Sequence, residues 1–239
     1  MRNISMAMAA MMLVGCSMGY DDGAALAAKG SGPSRTYPAQ GFSRIDVTGS
    51  DDVDVRLGNG FSVRAEGPAD ELDTLRIAES DGTLTIGRKR GIGWGRHRAV
   101  KVFVTLPRLA EARVTGTATV AVDRITGAGF KAEVSGSGDL NIAALTVDTA
   151  DLSITGTGDV RAGGAVKMLH VAVAGTGSVD AAGLRVARAD VSVAGMGDVR
   201  AAVDGPAQVA ISGTGDVDLG ASARCTVSNH GTGSVRCGG

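Results

Sequence analysis

The segment Ile154-Thr155-Gly156-Thr157-Gly158-Asp159-Val160 is the feature from which the architecture of this chain follows, because seven copies of it lie between residues 114 and 235. A related copy, VTGSDDV, occupies residues 47–53. Neighbouring copies in the main series are 18 to 20 residues apart, and a near-constant step indicates one structural unit per step, stacked on its neighbours. The first glycines of the seven copies are Gly116, Gly136, Gly156, Gly175, Gly195, Gly213 and Gly231.

The repeating unit is predicted to be β-structure. Apolar and polar residues alternate around each copy, as in Ala189-Asp190-Val191-Ser192-Val193, and two glycines per unit would weaken a helix. Leucine-rich repeats have a similar length, but leucine is sparse here and their consensus is absent. Twenty residues at about 3.3 Å each fit one lap of a narrow tube, with the next lap about 4.8 Å above. The sequence therefore predicts an all-β fold, a β-helix of 18–20-residue coils.

The parity of the side chains fixes which of them face inward. Even offsets from the first glycine of a copy carry apolar residues, such as Leu152, Ile154 and Val160, whereas odd offsets carry Thr, Ser and Asp. The glycines share the inward parity, and we expect them where the wall bends and no side chain fits. Offset +5 alternates in charge, and parallel stacking would place its members in one solvent-facing column of opposite neighbours. These residues are Arg161, Asp180, Arg200, Asp218 and Arg236.

The N-terminal residues are predicted to be an export signal and not part of the fold. Residues 1–16 combine a positive start, an uncharged apolar stretch too short to span a bilayer, and Leu13-Val14-Gly15-Cys16, which resembles a bacterial lipobox. The resemblance implies lipidation of Cys16, and Ser17 favours export to the outer membrane. An ordinary cleaved signal with an incidental cysteine, or a wrongly assigned start codon, is the alternative. Residues 17–36 are small and polar, typical of a flexible tether.

Residues 37–239 are interpreted as one domain, with irregular coils over 37–113 and regular repeats over 114–239. The irregular part contains short apolar strands, and we expect it to cap the tube, because terminal repeats must cover the core. The run Gly41-Phe42-Ser43-Arg44-Ile45-Asp46-Val47, the run Val102-Phe103-Val104-Thr105-Leu106-Pro107 and the repeated Gly-Thr-Gly-Asp-Val resemble the auto-transporter adhesin head GIN domain family. The resemblance implies a right-handed parallel β-helix in bacterial envelope proteins. It brings no catalytic residues.

Several sets of residues are candidates for catalysis, metal binding or nucleic-acid binding. The net charge of −1 gives no electrostatic case for nucleic acid, and His97, His170 and His230 are scattered without metal spacing. We interpret the aspartates that follow the second glycine of a copy as outward-facing caps; calcium is the alternative. A polysaccharide lyase or hydrolase would need facing carboxylates and a sugar platform, and the repeats are almost free of aromatic residues. No catalytic, cofactor or metal residues are predicted. The aspartates are Asp139, Asp159, Asp198 and Asp216.

Two further features lie near the ends of the domain. Residues 88–98 carry five positive charges and His97 around the only tryptophan, Trp94. Such a segment could contact anionic lipid or lipopolysaccharide phosphate, and a solvated loop is the alternative. Cys225 and Cys237 are twelve residues apart, and an oxidising compartment would favour a disulfide between them over two buried free thiols.

Together these observations predict a non-catalytic, lipid-anchored outer-membrane protein that displays a β-helix as an adhesin-like or interaction module. Its ligand, a protein or a glycan, is not specified by the sequence. The alternatives are a polysaccharide-acting β-helix enzyme and a structural envelope lipoprotein without an external ligand. Fold alone does not choose among them.

Overall fold

The computed structural model describes residues 23–89 and 98–238, and almost every element in it is a β-strand. One short helix, α1, covers Ala69–Thr74. The strands are β1 Ser34–Tyr37, β2 Arg44–Val47, β3 Asp52–Leu57, β4 Ser62–Glu66, β5 Leu75–Ser80, β6 Thr83–Arg88, β7 Lys101–Leu106, β8 Glu111–Val114, β9 Thr119–Val122, β10 Ile125–Val134, β11 Asp139–Ile154, β12 Val160–Val173, β13 Val179–Val193, β14 Val199–Val203, β15 Pro206–Ile211, β16 Val217–Asp218, β17 Arg224–Asn229 and β18 Val235–Arg236.

Strands β8 to β18 stack in parallel, and each copy of the repeat lies directly over the preceding copy. Ile154 pairs with Val173, which pairs with Val193, and Val160 pairs with Val179 in the same way. The predicted β-helix is therefore confirmed. The inward parity is also correct, since Leu152, Ile154 and Val160 are buried while the residues at odd offsets between them are not. Each fully buried Val, Leu or Ile side chain contributes about 1.5–3 kcal/mol.

The first glycine of each copy lies at a bend between two strands, as predicted, and the contacts there explain why no side chain fits. A Cβ placed on Gly156 would lie 2.2 Å from the carbonyl oxygen of Gly136, and one on Gly158 would lie 1.9 Å from that of Gly138. These glycines do not have positive φ angles. The collision is with the backbone of the coil below, so the close stacking of the coils excludes a side chain at these positions. We call this column of first and second glycines the glycine ladder.

The N-terminal layers do not stack in chain order. Strands β2 and β3 lie between two later pairs, with β6 and β7 on one side and β8 and β9 on the other. The upstream copy at residues 47–53 thereby becomes the layer next to the first copy of the main series. A Cβ on Gly116 would lie 1.9 Å from the carbonyl oxygen of Gly49, so the glycine ladder continues through this layer.

Antiparallel strands cover the first layer of the stack. Strand β5 pairs with β6, β4 pairs with β7, and β1 pairs with β4. Covering the first layer in this way removes the exposed strand edge that would otherwise invite pairing with another chain. The irregular N-terminal part is thus a cap, as terminal coils of a repeat protein require.

Part of the predicted tether is structured. Strand β1 begins at Ser34, and further upstream the N–H of Leu26 donates to the carbonyl oxygen of Ile77 at 2.7 Å. Bridges of Ala25 with Ala78 and Lys29 with Thr36 add to this pairing. This segment has no apolar period because backbone pairing with the cap, and not burial of side chains, orders it. Residues 1–22, which include Cys16, lie outside the described residues. In the described part, no helix is long and apolar enough to cross a membrane.

Candidate functional site

The alternating charges at offset +5 form one column, as predicted. Parallel pairing links Arg161 to Asp180, Asp180 to Arg200, Arg200 to Asp218 and Asp218 to Arg236. We call these five residues the charged column. Four of them are exposed and Asp218 is half-buried, so the column faces solvent. The column marks one outer face of the β-helix.

Some ion pairs on this face join residues of the same coil, and one joins residues of neighbouring coils. Arg161 and Arg200 contact Asp159 and Asp198, two residues earlier in their own coils, at 3.0 and 3.8 Å. Between coils, Arg236 contacts Asp218 at 3.5 Å. Exposed pairs of this kind contribute at most about 1 kcal/mol each. The column therefore sets the charge pattern of the face more than the stability of the fold.

The aspartate row beside this column holds the backbone of successive coils together. The carboxylate of Asp139 accepts the N–H of Asp159 at 3.0 Å, and that of Asp159 accepts the N–H of Ser178 at 2.9 Å. Asp198 and Asp216 repeat the arrangement higher in the stack. The row is thus made of caps on strand N–H groups, the interpretation favoured from the sequence. Across residues 23–89 and 98–238, no cluster of three or more His, Cys, Asp or Glu side chains is arranged to hold a metal ion.

Asp216 yields a prediction about pH. The N–H of Ser234, at 2.7 Å, and then its hydroxyl, at 2.8 Å, lower the pKa of this carboxyl below its ordinary value. A depressed folded-state pKa stabilises the fold above the pKa of the unfolded chain, and this contribution is lost as the pH falls through the folded-state pKa. Ser234→Ala keeps the first hydrogen bond and removes the second. An NMR titration of Asp216 should therefore show its pKa rising part of the way to the ordinary value.

Ser178→Ala is the matched control, because Ser178 donates its backbone N–H to Asp159 and does not touch Asp216. This variant should leave the Asp216 titration where it is in the wild type. An unchanged Asp216 titration in Ser234→Ala would show that the hydroxyl makes no hydrogen bond in solution.

A groove opens beside the charged column where three consecutive coils bulge. The strand register shifts between Ile142 and Leu145, between Arg161 and Gly163, and between Ala181 and Arg185. We call the resulting cavity of about 580 Å³ the bulge groove. Small residues, among them Ala143, Gly163 and Gly183, line part of it. Its polar lining residues are Asp54, Arg56, Asp123, Asn141, Arg161 and Asp180.

Some polar side chains of the bulge groove are already hydrogen-bonded or ion-paired within the protein, and one is not. Asp54 contacts Arg56 at 3.1 Å, and Asp123 accepts the N–H of Leu57 at 3.1 Å. The half-buried amide of Asn141, by contrast, makes no hydrogen bond to any other described residue. Its donors and acceptor are therefore available to a ligand. The sequence identified Arg161 only as a member of the charged column, and no local pattern singled out Asn141 or indicated a cavity beside it.

A buried ion-pair network, which we call the cap network, ties α1 to the stack. The guanidinium of Arg88 contacts Asp51 and Glu71, each at 2.5 Å, and Thr74 at 2.8 Å. The hydrogen bonds to Asp51, opposed by desolvation and helped by Glu71, raise the pKa of Arg88. Asp51 occupies the place of a second glycine in the upstream copy, so a departure from the repeat supplies the buried carboxylate.

The cap network corrects the interpretation of residues 88–98 as one uniform basic segment. Arg88 is internally paired and is not available to a phosphate group. Arg98 pairs with Asp70, and its N–H donates to Glu71 at 2.9 Å. Residues 90–97, with Trp94 and His97, lie outside the described residues. The other two histidines lie at the surface, and His170 contacts Asp190 at 3.4 Å.

Cys225 and Cys237 are joined by a disulfide in the last coil. Both side chains are partly buried against the core. Val227, which pairs with the buried Val209 of the preceding coil, is 46% exposed, so this coil is less covered than those before it. A bond closing so short a loop typically stabilises a fold by about 2–3 kcal/mol. It ties strand β17 to the residues that follow β18.

A parallel β-helix with an antiparallel cap and ladders of Gly and Asp defines a β-solenoid protein. Within that class, a model of the family described as "Putative auto-transporter adhesin, head GIN domain" matches residues 41–239, and the chain belongs to this family. The resemblance seen in the sequence is thereby confirmed. No curated protein sequence matches the chain.

Solved structures share the fold at low identity. A putative adhesin from Bacteroides fragilis is 21% identical, with a TM-score of 0.81 over 85% of this chain and 95% of that one. A putative lipid binding protein from Parabacteroides distasonis is 19% identical, with a TM-score of 0.71 over 88% and 98%. A putative adhesin from the same species is 20% identical, with a TM-score of 0.64 over 87% and 98%. At these identities the likeness concerns the fold.

Proposed function

We propose that this protein is a non-catalytic, adhesin-like binding module, attached to the outer membrane by lipid on Cys16. The proposal rests on the arrangement of the outer face, where in-register ladders place polar side chains at equivalent positions from coil to coil. The aspartate carboxylates of this face are engaged with backbone N–H groups of the next coil. They build the wall, and the wall offers a rigid, repetitive surface suited to binding. Membership of an adhesin-type family supports the same role.

The way the chain enters the fold supports display from a membrane. Arg76 donates to the carbonyl oxygen of Gly23 at 2.6 Å, so the N-terminal segment joins the body at its cap. Cys16 is only seven residues earlier. A lipid on Cys16 would hold the cap towards the membrane and leave the regular coils projecting from it. One diacylated cysteine anchors a protein without a transmembrane helix.

The same cap fixes both ends of the basic segment. The N–H of Lys89 donates to Thr74 at 2.8 Å, and the N–H of Arg98 donates to Glu71 at 2.9 Å. The residues that flank 90–97 in the sequence thus lie at the cap, the end of the molecule to which the proposed anchor is joined. We propose that the arginines of residues 90–97 contact anionic lipid or lipopolysaccharide phosphate, since each basic residue near such a surface adds about 1 kcal/mol of binding.

The anchor is tested in bacteria that express the full chain. Palmitate labelling, signal cleavage that globomycin blocks, and recovery in the outer-membrane fraction are expected for the wild type and not for Cys16→Ala. A wild-type chain that is neither labelled nor retained in membranes would disprove the anchor. This result would leave the binding role open to a secreted protein.

The binding role is tested by the adherence of the same cells. Non-adherent cells that display the wild-type chain should gain adherence to surfaces coated with polysaccharide or matrix protein, relative to cells displaying nothing. Purified protein should leave the chain length of the same polysaccharides unchanged. Cleavage of a polysaccharide, or no gain on any surface despite confirmed display, would contradict the proposed function.

A further inference from the structure

We infer that the bulge groove binds a neutral glycan chain that lies along the stack, across the strands. The inference rests on the proposed function and deepens it by naming the chemical class of the ligand and the residues that contact it. It concerns only described residues.

The shape of the groove fits an extended, narrow polymer. Its lining comes from five consecutive layers, from β3 through β9, β11 and β12 to β13. Four steps of about 4.8 Å give a length of about 19 Å. The step from layer to layer is close to the length of one sugar unit in an extended glycan, so neighbouring sugars would meet equivalent positions on neighbouring coils. The volume of about 580 Å³ lies within the range of ligand sites.

The floor of the groove permits close approach. Gly163 and Gly183 are stacked, and a Cβ on Gly163 would lie only 3.2 Å from the carbonyl oxygen of Ala143. Because these residues are small, no side chain protrudes into the groove at this point. The coils on either side carry the polar side chains of the lining. A flexible chain of sugar rings can follow such a surface without displacing protein atoms.

The polar lining suits hydroxyl groups. A carboxylate accepts hydrogen bonds, a guanidinium donates them, and an amide does both, so Asp180, Arg161 and Asn141 together match ligands that carry both kinds of group. Asn141 makes no hydrogen bond to another described residue, and binding would therefore use this amide without breaking a bond within the protein.

A protein ligand fits the groove less well. Protein interfaces depend on a few buried aromatic or Arg anchors in apolar pockets. The described residues that line the groove include no aromatic side chain, so a glycan there would be held by hydrogen bonds to its hydroxyl groups and not by stacking of its rings on an aromatic platform. An added peptide strand would need free backbone groups, and the strands lining the groove are already paired with their neighbours on both sides.

The charge of the groove selects against acidic glycans. Three carboxylates, on Asp54, Asp123 and Asp180, face two guanidiniums, on Arg56 and Arg161, so the lining carries one excess negative charge. Both guanidiniums already contact carboxylates, Arg56 that of Asp54 and Arg161 that of Asp159. A polyuronate would meet like charge, which lowers its affinity relative to a neutral chain.

The full chain without its signal is tested against a soluble β-glucan, a mannan and a galactan, with polygalacturonate as the anionic probe. Affinity electrophoresis followed by calorimetry should show binding of at least one neutral polymer and at least tenfold weaker binding of polygalacturonate. Ala143→Leu, which fills the groove, should weaken binding at least tenfold. Asn141→Ala should weaken it about fivefold, the effect of one hydrogen bond worth about 1 kcal/mol.

Ala172→Leu is the matched control, because Ala172 is exposed on β12 outside the groove and undergoes the same change. It should bind as the wild type does. Thermal unfolding checks that each variant is folded, and Asn141→Ala tests the site independently if Ala143→Leu does not fold.

Three results would overturn the inference. These are neutral-glycan binding that survives both groove variants, polygalacturonate binding as tight as that of the neutral polymers, and no binding to any of the three neutral polymers. If displayed cells still adhere to a protein-coated surface, the proposed function stands and only the glycan inference fails. If they adhere to nothing, both fail.

Discussion

Replacing Gly156 by Ala is expected to lower the free energy of unfolding by about 3 kcal/mol or more, because overpacking against rigid backbone is among the most destabilising single changes. The added Cβ would lie 2.2 Å from the carbonyl oxygen of Gly136, and 3.1 Å from the carbonyl carbon of the same residue. The coils could accept it only by moving apart, which would break parallel hydrogen bonds on both sides. Urea unfolding followed by circular dichroism measures the change.

Gly129→Ala is the control for this substitution. A Cβ on Gly129 would have its nearest neighbour, the carbonyl oxygen of Thr149, at 3.8 Å, and its φ lies outside the left-handed region. Ala in place of Gly at such a position costs nothing in space and removes freedom from the unfolded chain, so stability should be unchanged or rise by up to about 1 kcal/mol. Equal losses in the two variants would mean that glycine is needed for the strand itself and not for stacking.

Replacing Arg88 by Met is expected to cost about 3–5 kcal/mol, as when one partner of a buried ion pair is removed. The side chains of Asp51 and Glu71 are only 4% and 11% exposed, and in this variant they would face each other without their shared cation. The helix α1 should loosen from the stack at the same time, because the hydrogen bond from Arg88 to Thr74 is also lost. Chemical unfolding and amide exchange in α1 report the two effects.

The control is Arg161→Met, which removes an arginine from an exposed pair with Asp159. Its side chain is 51% exposed, and the cost should stay below about 1 kcal/mol. A loss in Arg88→Met no larger than in this control would show that water solvates the cap network.

The regular part of the fold was predictable because its determinants are local. Apolar residues at every second position show which face of each strand is inward. The recurring Gly-x-Gly-Asp shows which residues meet in the next coil. The charged column was placed correctly for this reason: Arg161 and Asp180 sit at the same offset from equivalent glycines, and in-register pairing follows from the shared offset. The bends at the first glycines were placed correctly as well, but the close contact between coils that excludes a side chain there is not visible in one copy.

The candidate site was less predictable. Arg161 was recognisable as a stacked residue, but the bulge groove arises from register shifts in three coils, which carry no sequence pattern of their own. Arg88 was assigned to a basic segment because charge along a chain does not reveal an acidic partner such as Asp51, 37 residues away.

The sequence by itself determined that this chain is a β-helix, the phase of its side chains and the stacking of its C-terminal coils, because each of these depends on contacts between neighbouring repeats of one pattern. Only the tertiary structure decided that the layer formed by β2 and β3 lies between later layers, that antiparallel strands close the first coil, and that a buried arginine holds α1 in place. These features depend on the free energy of pairing between segments far apart in the chain. Several pairings satisfy the same local pattern, and only the packed molecule selects one of them.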